Sequence, residues 1–435
     1  MNHDLRAKIH ETIEKNKDSY FDFLKDLVSF DSRIIDAGKT GQEKGIMEYL
    51  KKHFAEMGAN VDAFAPDNEK ICKYPGFNPN HTYEDRENVC AAFLGSGGGK
   101  SLIMNGHCDI VTPGDESLWQ SPPFECVERA GRYYGRGTTD MKGGVAAAIL
   151  AVRTLKELEV PLAGDIVIEA VIDEEGGGNG TIACCARGYR ADGAVIMEPT
   201  HMAIMPTNRG AFLAQFTVQG KQTHAATKGI GVNAIEKAYK LINALKELES
   251  EWLMTKKHPL LQNPTMNIGQ ISGGSGASVV AESCNVKFDV EFLPSEYDAD
   301  YKLVPVKPED IKKEVQDRIT LACMGDSWLK DHPVTIDWYQ ETLCFETPSE
   351  HEFVQTALKS CKRVLPDTAL DGLPCGCDGA PLANIGKMPV IIMGPGDLDC
   401  LHITDESMSA EKFYQAIEVY ANFIIDWVGI SKEKE

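Results

Sequence analysis

The sequence of 435 residues contains no unbroken apolar run of membrane-spanning length, so a membrane protein built from helices is not expected. Its first residues, Met1-Asn2-His3-Asp4-Leu5-Arg6, have no apolar core behind them, and a cytoplasmic location is the expectation. Low-complexity tracts and internal repeats are also missing, which leaves an ordinary globular chain. Basic residues are in short supply: 44 Lys plus Arg face 65 Asp plus Glu, for a formal net charge of -21. A field of that sign repels phosphates and argues against nucleic acid or an anionic membrane surface as partner.

What is present in odd number is cysteine, thirteen in all. Cys184-Cys185 are adjacent inside an expected helix, and Cys375-Gly376-Cys377 falls one residue short of a Cys-x-x-Cys motif. Without a secretory signal the expectation is free, structural thiols in a reducing compartment.

At this length two domains are expected. Thr40-Gly41-Gln42-Glu43 reads as a capping box, with Ile46, Leu50, Phe54 and Met57 on one helical face before Gly58. Short apolar strands follow at 89–94, 102–105, 166–172 and 194–197. The last three run straight into polar clusters, as at the ligand-binding ends of strands in open α/β sheets. From Thr207 the style changes to a β-α-β-β-α-β order, which reads as a split-βαβ insertion over 207–341. The α/β pattern then resumes with a second capping box, Ser349-Glu350-His351-Glu352, a strand at 390–393 and an amphipathic helix from Ser409. The fold class is therefore α/β. A catalytic domain (1–206 and 342–435) carries a mainly parallel sheet flanked by helices, and a smaller α+β domain (207–341) is inserted into it.

Five polar clusters carry candidate chemistry. His107-Cys108-Asp109 closes a strand, where residues two apart point the same way and an acid can orient a metal-binding imidazole. Asp140 lies within the glycine-rich segment from Tyr134 to Gly144, just before an expected helix, and reads either as an N-cap or as a carboxylate shared by two ions. Asp173-Glu174-Glu175 closes another strand; adjacent acids diverge, so one can bind metal while the other faces substrate as a base. Glu198 ends the strand at 194–197, and His402 follows Gly394-Pro395-Gly396. Each is unremarkable alone. Together they supply five candidate ligands, His107, Asp140, Glu175, Glu198 and His402, four of them at expected strand ends.

From about residue 20 onward these blocks, in this order, resemble the dinuclear zinc hydrolases that include acetylornithine deacetylase, succinyl-diaminopimelate desuccinylase, aminoacylase and a glutamate-releasing carboxypeptidase. The resemblance implies a pair of zinc ions, for which cobalt or manganese can substitute. Asp140 would bridge them, His107 and Glu198 would complete one site, and Glu175 and His402 the other. It further implies that Asp109 orients His107 and that Glu174 is the general base to a metal-activated hydroxide. The insertion would serve as lid and homodimer contact, with His224 stabilising an oxyanion. Where several relatives carry a substrate-binding arginine this strand has Glu291, and Cys377-Asp378-Gly379-Ala380 lacks the arginine that many have after the aspartate. Arg209 is left as a candidate carboxylate contact beside Asp378 and Glu291. The expected activity is hydrolysis of a small N-acyl substrate that releases a neutral or cationic amine. The alternatives are a dipeptidase or aminopeptidase, or a metal-stabilised binding protein without catalysis.

Overall fold

The computed structural model describes residues 2–36 and 38–431. The chain divides into two compact units: Met1–Thr207 with Phe345–Leu373 and Cys377–Glu435, and Asn208–Cys344 with Pro374–Gly376.

In the first unit the elements before the insertion are α1 (Asn2–Ser29), α2 (Lys44–Glu56), β1 (Asn60–Phe64), β2 (Asn88–Phe93), β3 (Leu102–His107), α3 (Lys142–Glu157), β4 (Ile166–Val171), α4 (Asn179–Arg187) and β5 (Ala194–Ile196). In the second unit they are β6 (Gly210–Gln219), α5 (Ala234–Thr255), β7 (Thr265–Gly273), β8 (Ser283–Phe292), α6 (Pro308–Met324) and β9 (Asp337–Thr342). The first unit resumes with α7 (Glu352–Val364), α8 (Gly379–Asn384), β10 (Val390–Ile392) and α9 (Ala410–Val428).

The six-stranded sheet runs β10-β5-β3-β4-β2-β1. Its β10/β5, β5/β3 and β3/β4 pairs are parallel, while β2 runs antiparallel to both neighbours. The central strands β3 and β5 are buried throughout, because helices cover their faces and leave no place for polar alternation. Helices α1, α3 and α9 pack on one another, and α7 packs on α9. Helix α1 was not among the expected elements, although its buried Ile9, Ile13, Tyr20, Leu24, Leu27 and Val28 follow helical spacing.

The second unit is a four-stranded antiparallel sheet, β7-β8-β6-β9, with α5 and α6 packed together and α5 against the sheet. Inward residues of β6 and β8 alternate with outward ones, and Phe212 stacks on Phe292 at 4.6 Å. The element order is the expected β-α-β-β-α-β, with a short hairpin (295–297 with 303–305) added before α6.

Neither capping box forms. Thr40-Gly41 lies in a two-residue strand and α2 begins at Lys44 without a side-chain cap, because the Glu43 carboxylate is taken by Arg86 at 2.8 and 2.5 Å. At α7 the cap is His351, which accepts from the N–H of Phe353. Ser409 does cap α9, accepting from Lys412 N.

Candidate metal centre

His107 is the last residue of β3. Gly106 before it leaves no room for a Cβ, which would stand 2.8 to 2.9 Å from Met197, Val145 and Met141 side chains. The Nδ1–H of His107 donates to the main-chain carbonyl of Asp109 at 2.9 Å. That fixes the ring so that Nε2 faces Asp140 Oδ1 at 3.1 Å and Glu198 Oε1 at 3.5 Å. Asp109 thus holds His107 through its main-chain carbonyl rather than its carboxylate. That carboxylate stands 3.8 Å from Nδ1 and accepts instead from the N–H groups of Glu174 and Glu175, at 3.3 and 3.0 Å. The strand ends at His107, so the two-residue alternation that would have aligned the side chains stops there.

Asp140 is not an N-cap. Helix α3 is entered through Met141 without a side-chain cap, and the carboxylate is left to span two histidines. Its Oδ1 faces His107, while its Oδ2 lies 3.1 Å from His402 Nε2. The turn that delivers it is held by a residue without any motif. Glu406, fully buried, accepts from the N–H groups of Gly137, Thr139 and Asp140 at 3.0, 2.8 and 3.1 Å, and pairs with Arg136 at 2.6 Å.

Glu174 and Glu175 follow β4 on a turn begun by Asp173 at φ 70°. The Asp173 carboxylate is buried and faces away from the centre. It meets His81 Nδ1 at 3.0 Å through each oxygen and accepts from Tyr83 Oη at 2.7 Å. Asn78 adds a bond to the carbonyl of Gly177 at 2.6 Å. The segment between β1 and β2 therefore grips this turn, a role that local sequence does not announce. On the other side of the turn Glu175 reaches His402 Nε2 at 3.2 Å.

The side chains assemble into two triads, His107/Asp140/Glu198 and Asp140/Glu175/His402, whose ligand atoms lie within 4.8 Å of one another in each. His107, Asp140 and Glu198 are buried, whereas the His402 side chain is 51% exposed. Asp378 is buried within the same unit, and its carboxylate accepts from Thr181 Oγ1 at 2.8 Å. His224, Arg209 and Glu291 belong to the second unit. There His224 is exposed and accepts from Ala226 N at 3.1 Å. Arg209 donates to the carbonyls of Pro374 and Asn263 at 2.8 and 3.2 Å, and stands 3.6 Å from Glu291.

The electrostatics is that of acids crowded beyond their complement of cations. Burial, reinforced by Asp140, pushes Glu175 up to about 7. Burial and the anions Glu198, Asp378 and Glu175 hold Glu174 well above the usual carboxylate range. Asp140 is held low, against burial, by the two histidines. His402 is pushed up to about 10 by Asp140 and Glu175.

Divalent ions fit this set. Imidazole and carboxylate donors about 2.0–2.1 Å from a tetrahedral ion stand roughly 3.3 Å apart. The His–carboxylate separations are 3.1 to 3.5 Å. The lone pair of His107 Nε2 also faces two acceptors, an arrangement that requires a proton or a cation between them.

Residues 103–426 match the sequence profile of peptidase family M20/M25/M40. The chain belongs to that family. It is thus a metal-dependent hydrolase of amide bonds, as the resemblance implied. The chain is 28% identical to an N-formyl-4-amino-5-aminomethyl-2-methylpyrimidine deformylase of Bacillus subtilis, over 98% of each chain. It is 33% identical to a probable succinyl-diaminopimelate desuccinylase of Staphylococcus aureus, over 81% of this chain and 88% of that one. Among solved structures, a tripeptidase from Staphylococcus aureus superposes with a TM-score of 0.72 at 21% identity, over 94% of this chain and 98% of that one. The last likeness concerns the fold. Among the described residues no helix is long and apolar enough to cross a membrane.

Proposed function

We propose that this family member removes a small acyl group, formyl above all, from the amino group of a neutral or cationic amine. The observation that carries the reaction type is the pair of donor triads joined through Asp140, with Glu174 beside them. His107, Asp140 and Glu198 would hold one ion, and Asp140, Glu175 and His402 the other; zinc suits these donors. Ions held there would supply a water of pKa about 7 and a Lewis acid for the scissile carbonyl. Glu174, held above the usual carboxylate range, takes the proton of the attacking water and delivers it to the departing nitrogen. The carbonyl of Asp109 fixes the His107 tautomer, and its carboxylate fixes the backbone of both glutamates.

Two observations favour a formyl amide of an uncharged or cationic amine over a dicarboxylic substrate. The likeness to the deformylase runs the whole length of both chains, while the likeness to the desuccinylase stops at 81% of this one. Arg209, the candidate for a substrate carboxylate, spends donors on carbonyls of its own unit beside Glu291. Burial pushes Glu291 up to about 7, against the pull of Arg209. A homodimer in the cytoplasm, with the inserted unit as lid and contact surface and His224 acting on the oxyanion, completes the reading. The strand β7 at the edge of its sheet, where Ile271 is exposed, supports the dimer.

The test is amine release from an N-formylaminomethylpyrimidine, acetylornithine, succinyl-diaminopimelate and several dipeptides, after chelation and reloading with zinc. The formyl substrate is expected to lead in kcat/KM by about ten- to a hundredfold. A lead for the succinyl substrate or for dipeptides of the same size would refute the substrate assignment and leave the reaction type standing.

A further inference from the structure

A second group of metal-ligating side chains lies in the core of the first unit, apart from the centre described above. Cys90 on β2 and Glu169 on β4 are direct cross-strand partners, so their side chains leave the same face of the sheet. Cys184 on α4 descends onto that face and brings its sulfur to 3.8 Å from that of Cys90. One ligand atom from each of the three residues lies within 4.8 Å of the others, and all three side chains are at most 1% exposed.

Two features separate this group from an ordinary apolar contact. Two sulfurs bound at about 2.3 Å to one tetrahedral zinc ion stand roughly 3.8 Å apart, the separation found here. There is also a surplus of acceptors. Glu169 Oε2 takes a hydrogen bond from Asn105 Nδ2 at 2.9 Å, but among the described residues its buried Oε1 has no hydrogen-bond partner, and neither has Asn105 Oδ1. A carboxylate oxygen in a protein core is normally paired, and orphaned acceptors beside two thiols mark the place of a missing cation or donor.

We propose that Cys90, Glu169 and Cys184 bind a third ion, a thiophilic divalent metal of which zinc is the type, in a buried three-donor site that ties β2 and β4 to α4. Thiolate donors select such ions over the hard cations that carboxylates alone would take. Binding releases the two thiol protons to solvent. The two thiolates and the carboxylate then carry three negative charges against two positive ones, and the field of the Arg190 guanidinium, which already acts on Glu169, offsets part of the remainder. Because the site is sealed, the ion enters as the chain folds. Helix α4 begins just past the turn that carries Glu174 and Glu175, so the ion anchors the far side of that turn.

The site can be read without catalysis, because His107, Asp140, Glu175, Glu198 and His402 offer only nitrogen and oxygen. X-ray absorption at the zinc edge, on the full chain purified from zinc-supplemented cells, is expected to show a sulfur shell at about 2.3 Å. Elemental analysis is expected to give a third ion per chain. Cys90→Ser/Cys184→Ser is expected to lose the sulfur shell and one ion while keeping the other two. The exposed thiols provide a control that does not disturb the core: Cys72→Ser/Cys375→Ser is expected to retain the shell. Absence of sulfur scattering in the native protein overturns the proposal, as does its loss in the surface variant or its survival in the core variant. None of these results bears on the amide-hydrolase reading, which stands or falls by turnover.

Discussion

At the scale of single residues, Glu174 is the group whose removal separates chemistry from metal binding. Glu174→Gln keeps the shape of the side chain and takes away its ability to accept a proton. The two ions are expected to remain, by elemental analysis, while turnover falls about 10²- to 10⁴-fold. Near-native turnover with both ions in place would remove Glu174 from the mechanism. His107, Asp140, Glu175, Glu198 and His402 could be picked out from the sequence because each ends a strand or stands in a glycine-rich block, and the structure brings all five together. Their supports could not. Asp173 and His81 lie 92 positions apart, Glu406 and Asp140 lie 266 apart, and a buried pair of that kind leaves no periodic trace. Asp109 lies beside His107, and what its place in the sequence does not tell is the division of labour: its carbonyl accepts from His107 Nδ1, while its carboxylate accepts from the backbone of Glu174 and Glu175.

At the scale of elements, the turn from Gly135 to Asp140 depends on one anion from the far end of the chain. Glu406→Ala strands three buried N–H groups and leaves Arg136, only 2% exposed, without its partner carboxylate. The expected cost is about 3–5 kcal/mol in denaturant unfolding, accompanied by loss of metal. Glu406→Gln retains an oxygen for the same donors and loses only the charge, so a cost of about 1–2 kcal/mol is expected. Equal effects of the two variants would show that the nest of N–H groups contributes little. Strands β2 to β5 and helices α3, α5, α6 and α9 are legible from their apolar periods, whereas α1 and β1 are not. Nor are the caps of α2 and α7, because Glu43 serves Arg86 and His351 replaces Ser349 as the cap. Sequence spacing names residues able to cap; tertiary partners decide which of them do.

At the scale of the whole molecule, the crowded acids make stability without metal depend on pH. Glu175 titrates at about 7 in the folded chain against an ordinary value of 4.5, so its stabilising proton is present below 4.5 and lost as pH rises through 7. His402 acts in the same direction, holding its proton from 6.5 up to about 10. Asp140, held low, opposes them only under acidic conditions, below its ordinary value of 3.8. Chelated protein is therefore expected to have a lower Tm at pH 8 than at pH 6. Reloaded protein should reverse or flatten that trend, because ions displace the same protons more readily as pH rises. A chelated protein whose Tm rises between pH 6 and pH 8 would contradict this account.

The first unit is interrupted in sequence by the second, and its donor triads lie unevenly about the interruption. His107, Asp140, Glu175 and Glu198 are all synthesised before Asn208, whereas His402 leaves the ribosome roughly 200 residues after Glu198, some 10–40 s later at ordinary translation speeds. The triad of His107, Asp140 and Glu198 thus has all its donors early, while the triad of Asp140, Glu175 and His402 waits almost for the end of translation. So does β10, the edge partner that β5 needs. A nascent chain stalled before Leu398 carries one half of a two-ion centre, and in the cell the order of its assembly is written into the order of its codons.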